Sequence, residues 1–249
     1  MKDSVTLQEK IGALLRTNKF AILLEIAVVS VPFIASVVVS DWLGSDLVPL
    51  GGDVVLLGPP LAYPGMIISL AAIWVSARMR GVGWREFGLA RQKSWVRTVL
   101  MSLGVALAMF VFAMLINPLF LAIPNVEPPD YSRYDHLRGN LPNLIINVVA
   151  VWFTAGFVEE FLFRGYLMKR LVDLQGKKTK LAWVIALVVS AVIFGFVHLR
   201  QGPAGMLKVA VYGLLFGLAF LTVRRNLWPL MIAHALMDTL SFVGYYFGG

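Results

Sequence analysis

Seven apolar runs, each about 20 residues long, leave this chain few ways to fold, because a helix of that length crosses the hydrocarbon core of a bilayer. They lie at about 20–39, 59–77, 97–117, 143–170, 181–199, 204–222 and 228–247, with ends set to within roughly 2 to 4 residues. Inside lipid every backbone N–H and C=O must find its partner within the protein, which selects helices for such runs. Composition points the same way: 59% of the 249 residues are hydrophobic and 14% are charged, too apolar for a water-soluble domain. The expected fold is all-α, a polytopic transmembrane helical bundle of about seven spans in a multi-pass protein of the cell membrane.

The formal net charge of +8 raises the question of a nucleic-acid partner, and the placement of the basic residues answers it. Leaving aside Arg164 inside a helix, 17 Lys and Arg lie in the N-terminal arm and the second, fourth and sixth loops, against 4 in the alternate segments. That asymmetry predicts a cytoplasmic N-terminus and an outside C-terminus. The charge therefore reports topology, with the lipid bilayer as partner and no nucleic acid. Cysteine is absent, which excludes disulfides and thiolate metal ligands and leaves the redox compartment open. The first run follows a basic arm, as a signal peptide does, but it is longer than an h-region and lacks a small-x-small cleavage site, so it reads as a retained span.

The arm at 1–19 places Leu7, Ile11, Leu14 and Leu15 on one helical face, a spacing that fits either a helix lying on the membrane surface or a cytoplasmic extension of the first span. The loop at 41–58 is Gly-rich and acidic, and Pro59, Pro60 and Pro64 perturb the start of the second span. A basic connector at 81–95 carries Trp84 as an interface anchor and ends on another, Trp95. The loop at 123–142 is predicted to be irregular from its Pro and Asp content. Neither a repeat nor a linker divides the chain, so 1–249 reads as a single integral membrane domain.

Ionisable residues within the apolar runs are where chemistry is expected, since charge in hydrocarbon is retained for a function or a partner. Glu159, Glu160 and Arg164 fall within six residues of the fourth run. Glu160 and Arg164, four apart, share a helical face and are expected to pair; Glu159 points about 100° away and is the better candidate for a general base. His198 closes the fifth run with Phe194 one turn before it, and His234 and Asp238 sit one turn apart in the seventh. Taken singly, each histidine is more simply a hydrogen-bonded helix contact. Depth brings them together: at about 1.5 Å per residue, Glu159 and His198 stand about 20 and 26 Å above their shared loop. His234 and Asp238 come out lower, about 9 and 15 Å above Trp228, within reach given tilt and a kink near Gly156. Glu25 is expected to snorkel to the interface from the first span, and His136 to be a structural residue of the outer loop.

The run EE-x-x-x-R at Glu159, Glu160 and Arg164, F-x-x-x-H at Phe194 and His198, and H-x-x-x-D at His234 and Asp238 resemble the CAAX-protease and bacteriocin-processing family of intramembrane endopeptidases. The connector GWREFGLARQKSW is similar to a segment that bacterial members carry upstream, and the motif-bearing core covers 142–240. The resemblance implies a helical bundle that cleaves a peptide bond of a membrane-anchored or hydrophobic peptide. It assigns water activation to Glu159 with His198 and oxyanion stabilisation to His234 with residue 238, supported by Glu160, Arg164 and Phe194. Where the prenyl-protease branch has Asn, this chain has Asp238, whose carboxylate would repel an oxyanion; Asp238 is therefore expected to orient His234 and hold its proton. No cofactor is expected on this route. The alternative is a divalent metal such as zinc on Glu159, His198, His234 and Asp238, although no H-E-x-x-H is present. Two further alternatives are a non-catalytic bacteriocin-immunity or scaffold protein of the same fold, and a proton-coupled transporter, against which the lack of a repeat argues. Substrate, cleaved bond and oligomeric state are not encoded in any motif here.

Overall fold

The computed structural model describes residues 6–43, 47–58, 60–121 and 132–248. Helices occupy all seven apolar runs. The first three are α2 (Lys19–Trp42), α3 (Ala62–Arg80) and α4 (Trp95–Leu121). A continuous rod follows, made of α5 (Leu141–Val151), a π-helix at Trp152–Leu167 and α6 (Met168–Leu174), and then α7 (Lys180–Phe196), α8 (Gly202–Thr222) and α9 (Trp228–Tyr246). Among the described residues five of these rods are long and apolar enough to cross a membrane; α7, at 17 residues, is shorter, and α9 is interrupted by His234 and Asp238. The outward faces are apolar: on α4, Val96, Leu100, Leu107 and Leu115 are all well exposed, as a lipid-facing side requires.

The arm forms a separate helix, α1 (Leu7–Thr17), and is not an extension of the first span. A capping box starts it: Glu9 N–H donates to Thr6 Oγ1 at 3.3 Å while Thr6 N–H donates to Glu9 Oε2 at 2.8 Å. Asn18, extended at φ −90° and ψ 119°, separates it from α2. Arg16 donates to the Arg80 carbonyl at 2.6 Å, and Gly12 backs onto the carbonyl of Met79, so close that a Cβ would lie 2.1 Å from it. The outer face of α1 leaves Leu7 and Leu14 exposed.

Three expectations change. Glu25 does not snorkel. It is 6% exposed and holds a buried network, in which Ser76 Oγ and Arg170 Nη2 donate to it, Tyr166 Oη donates at 3.1 Å and Arg80 Nε lies 3.6 Å away. It sits too deep for its short side chain to reach water, while two arginines from α3 and α6 reach in to it. Second, 41–58 is not only loop: β1 (Leu47–Gly51) and β2 (Val54–Leu57) pair antiparallel across a Gly-Gly-Asp turn, with Gly51 and Gly52 at positive φ. The outer edge of β2 is satisfied by two asparagines one turn apart on α5, with Val55 N–H donating to Asn143 Oδ1 at 2.9 Å and Leu57 N–H to Asn147 Oδ1 at 2.6 Å. Third, the end of the predicted irregular loop is ordered as a 3₁₀ turn at Ser132–Leu137, followed by α5 from Leu141; 122–131 lie outside the described residues, as does Pro59.

Small residues set how closely the rods approach. A Cβ on Gly156 would lie 2.9 Å from the Ala235 methyl, and one on Gly195 would lie 2.6 Å from the Met206 carbonyl. These contacts draw α9 onto the π-helix and α8 onto α7. On the connector, Phe87 is fully buried and packs edge-on against Phe161 at 5.8 Å, a fit that Gly165 permits.

Candidate active site

The EE-x-x-x-R motif lies inside a π-helix of 16 residues, where each N–H bonds five residues back. Along one face of it Phe153, Phe157 and Phe161 stack in series at 6.0 and 5.8 Å. On the adjoining face the same spacing aligns Glu160 with Arg164. Arg164 Nη1 donates to Glu160 Oε1 at 2.9 Å, both side chains being buried. The guanidinium also lies 4.3 Å over the Phe194 ring of α7 and 5.5 Å over Phe216 of α8. Arg164 thus ties three helices to the acidic pair.

His234 of α9 completes the arrangement. Its Nδ1 is 2.8 Å from Glu160 Oε1, the oxygen already held by Arg164, and its ring packs 4.9 Å from that of Phe216. A carboxylate only accepts, so Nδ1 carries a hydrogen and Nε2 is the nitrogen turned away from Glu160. Asp238 Oδ2 lies 3.8 Å from that Nε2, an ion-pair distance longer than a hydrogen bond. Glu160 therefore holds the Nδ1 side of the ring while Asp238 faces its Nε2 side, and the close Gly156–Ala235 contact brings α9 to this distance from the π-helix. Asp238 has a 33% exposed side chain and His234 a 14% exposed one, so this end of the cluster is open while Glu160 is sealed.

His198 sits where α7 ends. Its Nδ1 contacts the Phe194 carbonyl at 2.8 Å, and since the carbonyl accepts, Nδ1 is protonated and Nε2 is left for other partners. Phe194 stands between the histidines, with ring centroids 4.9 Å from His198 and 6.5 Å from His234. Glu159 is half-buried and within electrostatic reach of His234, Asp238, Arg164 and Glu160. Among the described residues no hydrogen bond joins Glu159 to His198. Nor is a group of three His, Asp or Glu side chains placed there to hold a metal ion.

Three participants were not visible in the sequence. Gly213 offers its carbonyl to Arg164 Nη2 at 3.5 Å, and Phe216 is an ordinary apolar residue of α8. Arg133, on the Ser132–Leu137 turn, lies within electrostatic reach of both His198 and Asp238. Its guanidinium is steered by Tyr134, whose hydroxyl accepts from it at 2.8 Å and whose ring stacks on Tyr245 at 4.7 Å. His136 Nδ1 bonds the Arg133 carbonyl at 2.6 Å, and burial pushes this imidazole below its ordinary value, in keeping with a structural part. The only sequence signal for the turn is its cluster of polar and aromatic side chains.

Residues 141–240 match the family model described as type II CAAX prenyl endopeptidase Rce1-like, a stretch that contains every member of the cluster except Arg133. Over these residues, about two-fifths of the chain, it is similar to the CAAX-protease family. With its apolar helices, the match makes this a multi-pass membrane protein and supports an intramembrane endopeptidase of CAAX type in general. No curated protein and no solved structure matches the chain.

Proposed function

We propose that the protein hydrolyses a peptide bond of a membrane-associated protein or hydrophobic peptide as a glutamic-type intramembrane endopeptidase of the cell membrane, its N-terminus on the cytoplasmic side. Glu159 takes a proton from a water that attacks the scissile carbonyl, with His198 Nε2 aligning that water. The carbonyl oxygen becomes an oxyanion, towards which His234, as imidazolium, donates from Nε2. Collapse of the tetrahedral intermediate breaks the C–N bond, and Glu159 returns the proton to the leaving amine. Glu160 and Arg164 hold the His234 ring and make no contact with substrate. No step is routed through a metal.

The observation that carries this reading is the 2.8 Å contact between His234 Nδ1 and Glu160 Oε1, which fixes the imidazole of α9 beside the acidic pair of the π-helix. Preorganised donors aimed at developing charge are the largest single contribution in acyl hydrolysis, and a ring locked at one nitrogen is such a donor. The test compares membranes containing wild type or Glu159→Gln for new peptide ends. Ends that depend on Glu159 are expected; identical end profiles, with both proteins folded and equally abundant, would reject the peptidase.

A further inference from the structure

Away from the acidic cluster, where the basic connector meets the start of α9, an open cleft of about 380 Å³ is lined by Leu89, Ala90, Arg91, Gln92, Trp95 and Trp228. Two hydrophobic rods begin at its walls, α4 at Trp95 and α9 at Trp228, and the two indoles meet edge to face at 5.3 Å. The walls are held firmly. Trp228 Nε1 donates to the Ala90 carbonyl at 3.1 Å, Asn226 Nδ2 to Gln92 Oε1 at 2.8 Å and Gln92 Nε2 to the Ala90 carbonyl at 2.6 Å.

We propose that this cleft binds the headgroup of an anionic phospholipid. Four observations select that occupant. Tryptophan pairs at the ends of apolar helices mark the level of lipid headgroups, which places the cleft there. Arg91 lines it and makes no ion pair among the described residues, so its charge remains available to a phosphodiester. The surrounding segment adds Arg85, Lys93 and Arg97, and its single acid, Glu86, is engaged by Lys169 at 2.8 Å. Finally, α4, which starts at the cleft residue Trp95, carries a stripe made by Val96, Leu100, Leu103 and Leu107, all exposed and spaced as one helical face, along which an acyl chain can lie. A soluble anion would use the arginine and leave the stripe bare; a phospholipid uses both. Because Leu227 N–H also donates to the Gly88 carbonyl at 3.1 Å, the bound lipid would brace the start of the helix that carries His234.

Native mass spectrometry of the full-length protein in detergent, titrated with phosphatidylglycerol or phosphatidylcholine, tests this without reference to protease activity. Retention of phosphatidylglycerol over phosphatidylcholine is expected in wild type. Arg91→Gln, at an exposed site where folding is not at stake, should weaken phosphatidylglycerol binding about fivefold, the worth of one basic residue at an anionic surface. Lys93→Gln, whose side chain does not line the cleft, should lose less. Equal retention of both lipids, or an Arg91→Gln protein that keeps the full preference, overturns the assignment. So does inorganic phosphate that displaces the lipid at equal concentration, since the site would then serve a free anion.

Discussion

Two buried charge clusters sit on the same rod, one around Glu160 in the π-helix and one around Glu25 where α2 and α3 meet α6, and they differ in what they leave unsatisfied. Around Glu25 both carboxylate oxygens are engaged, by Ser76, Tyr166 and Arg170, and the unpartnered atoms are surplus arginine nitrogens, Arg80 Nη2 and Arg170 Nε. In the π-helix Arg164 and His234 share a single oxygen of Glu160, and Oε2 is buried without a partner. Beside it Glu159 is only half-buried and Asp238 is one-third exposed. A fully coordinated carboxylate braces helices. A cluster with acceptors to spare and one open end is what the proposed hydrolysis requires.

The sharpest way to break that contrast is to neutralise one carboxylate in each cluster. Glu159→Gln removes the proposed base and should lower peptide cleavage by about 10³-fold, within the range of general-base catalysis, with thermal unfolding in detergent unchanged. Glu25→Ala leaves Arg80 buried without a carboxylate and Arg170 with Asp173 alone, and should destabilise the fold by about 3 to 5 kcal/mol, while each molecule that remains folded cleaves at the wild-type rate. An inactive but fully stable Glu25→Ala protein would erase the distinction between the clusters.

How much of this was readable in advance follows from the same contrast. All seven apolar runs became helices, because hydrophobic length is a one-dimensional signal that tertiary packing does not alter. Glu160 and Arg164 were paired from their spacing alone. The pairing of His234 with Asp238, one turn apart, is countable along the sequence, whereas its second partner Glu160 is not, since contacts between rods depend on Gly156 meeting Ala235. The snorkelling expected of Glu25 fails for a related reason: its partners stand 51 to 145 residues away on three other segments. The hairpin edge held by Asn143 and Asn147 was equally hidden, although two asparagines one turn apart in an apolar helix are a signal that could have been followed.

Which of its two carboxylate partners positions His234 can be put to a test of smaller effect. Glu160→Gln replaces a charge-assisted contact on Nδ1, worth about 1.5 to 3 kcal/mol, so kcat/KM should fall roughly 10- to 150-fold. Asp238→Asn perturbs only a longer, partly exposed ion pair worth about 1 kcal/mol, and a loss of about fivefold is expected. The opposite order, measured on one peptide at saturating and limiting concentrations, would show that Asp238 and not Glu160 positions the ring.

The smallest effect lies at the rim of the bracing cluster. Lys169 Nζ is 2.8 Å from Glu86 Oε1 and 2.7 Å from Asp173 Oδ2, and the first of these contacts holds the Glu86 carboxyl below its ordinary value of 4.5. A carboxyl whose folded value is depressed stabilises the fold above its unfolded value, and that stabilisation is lost as pH falls through the folded value. The Glu86 side chain is 36% exposed, so screening limits the gain to under about 1 kcal/mol. Wild type and Glu86→Gln should therefore differ slightly in Tm above pH 5 and converge in more acidic buffer. A difference of more than about 2 kcal/mol, or one that persists in acid, would mean that Glu86 braces the rod through more than its charge.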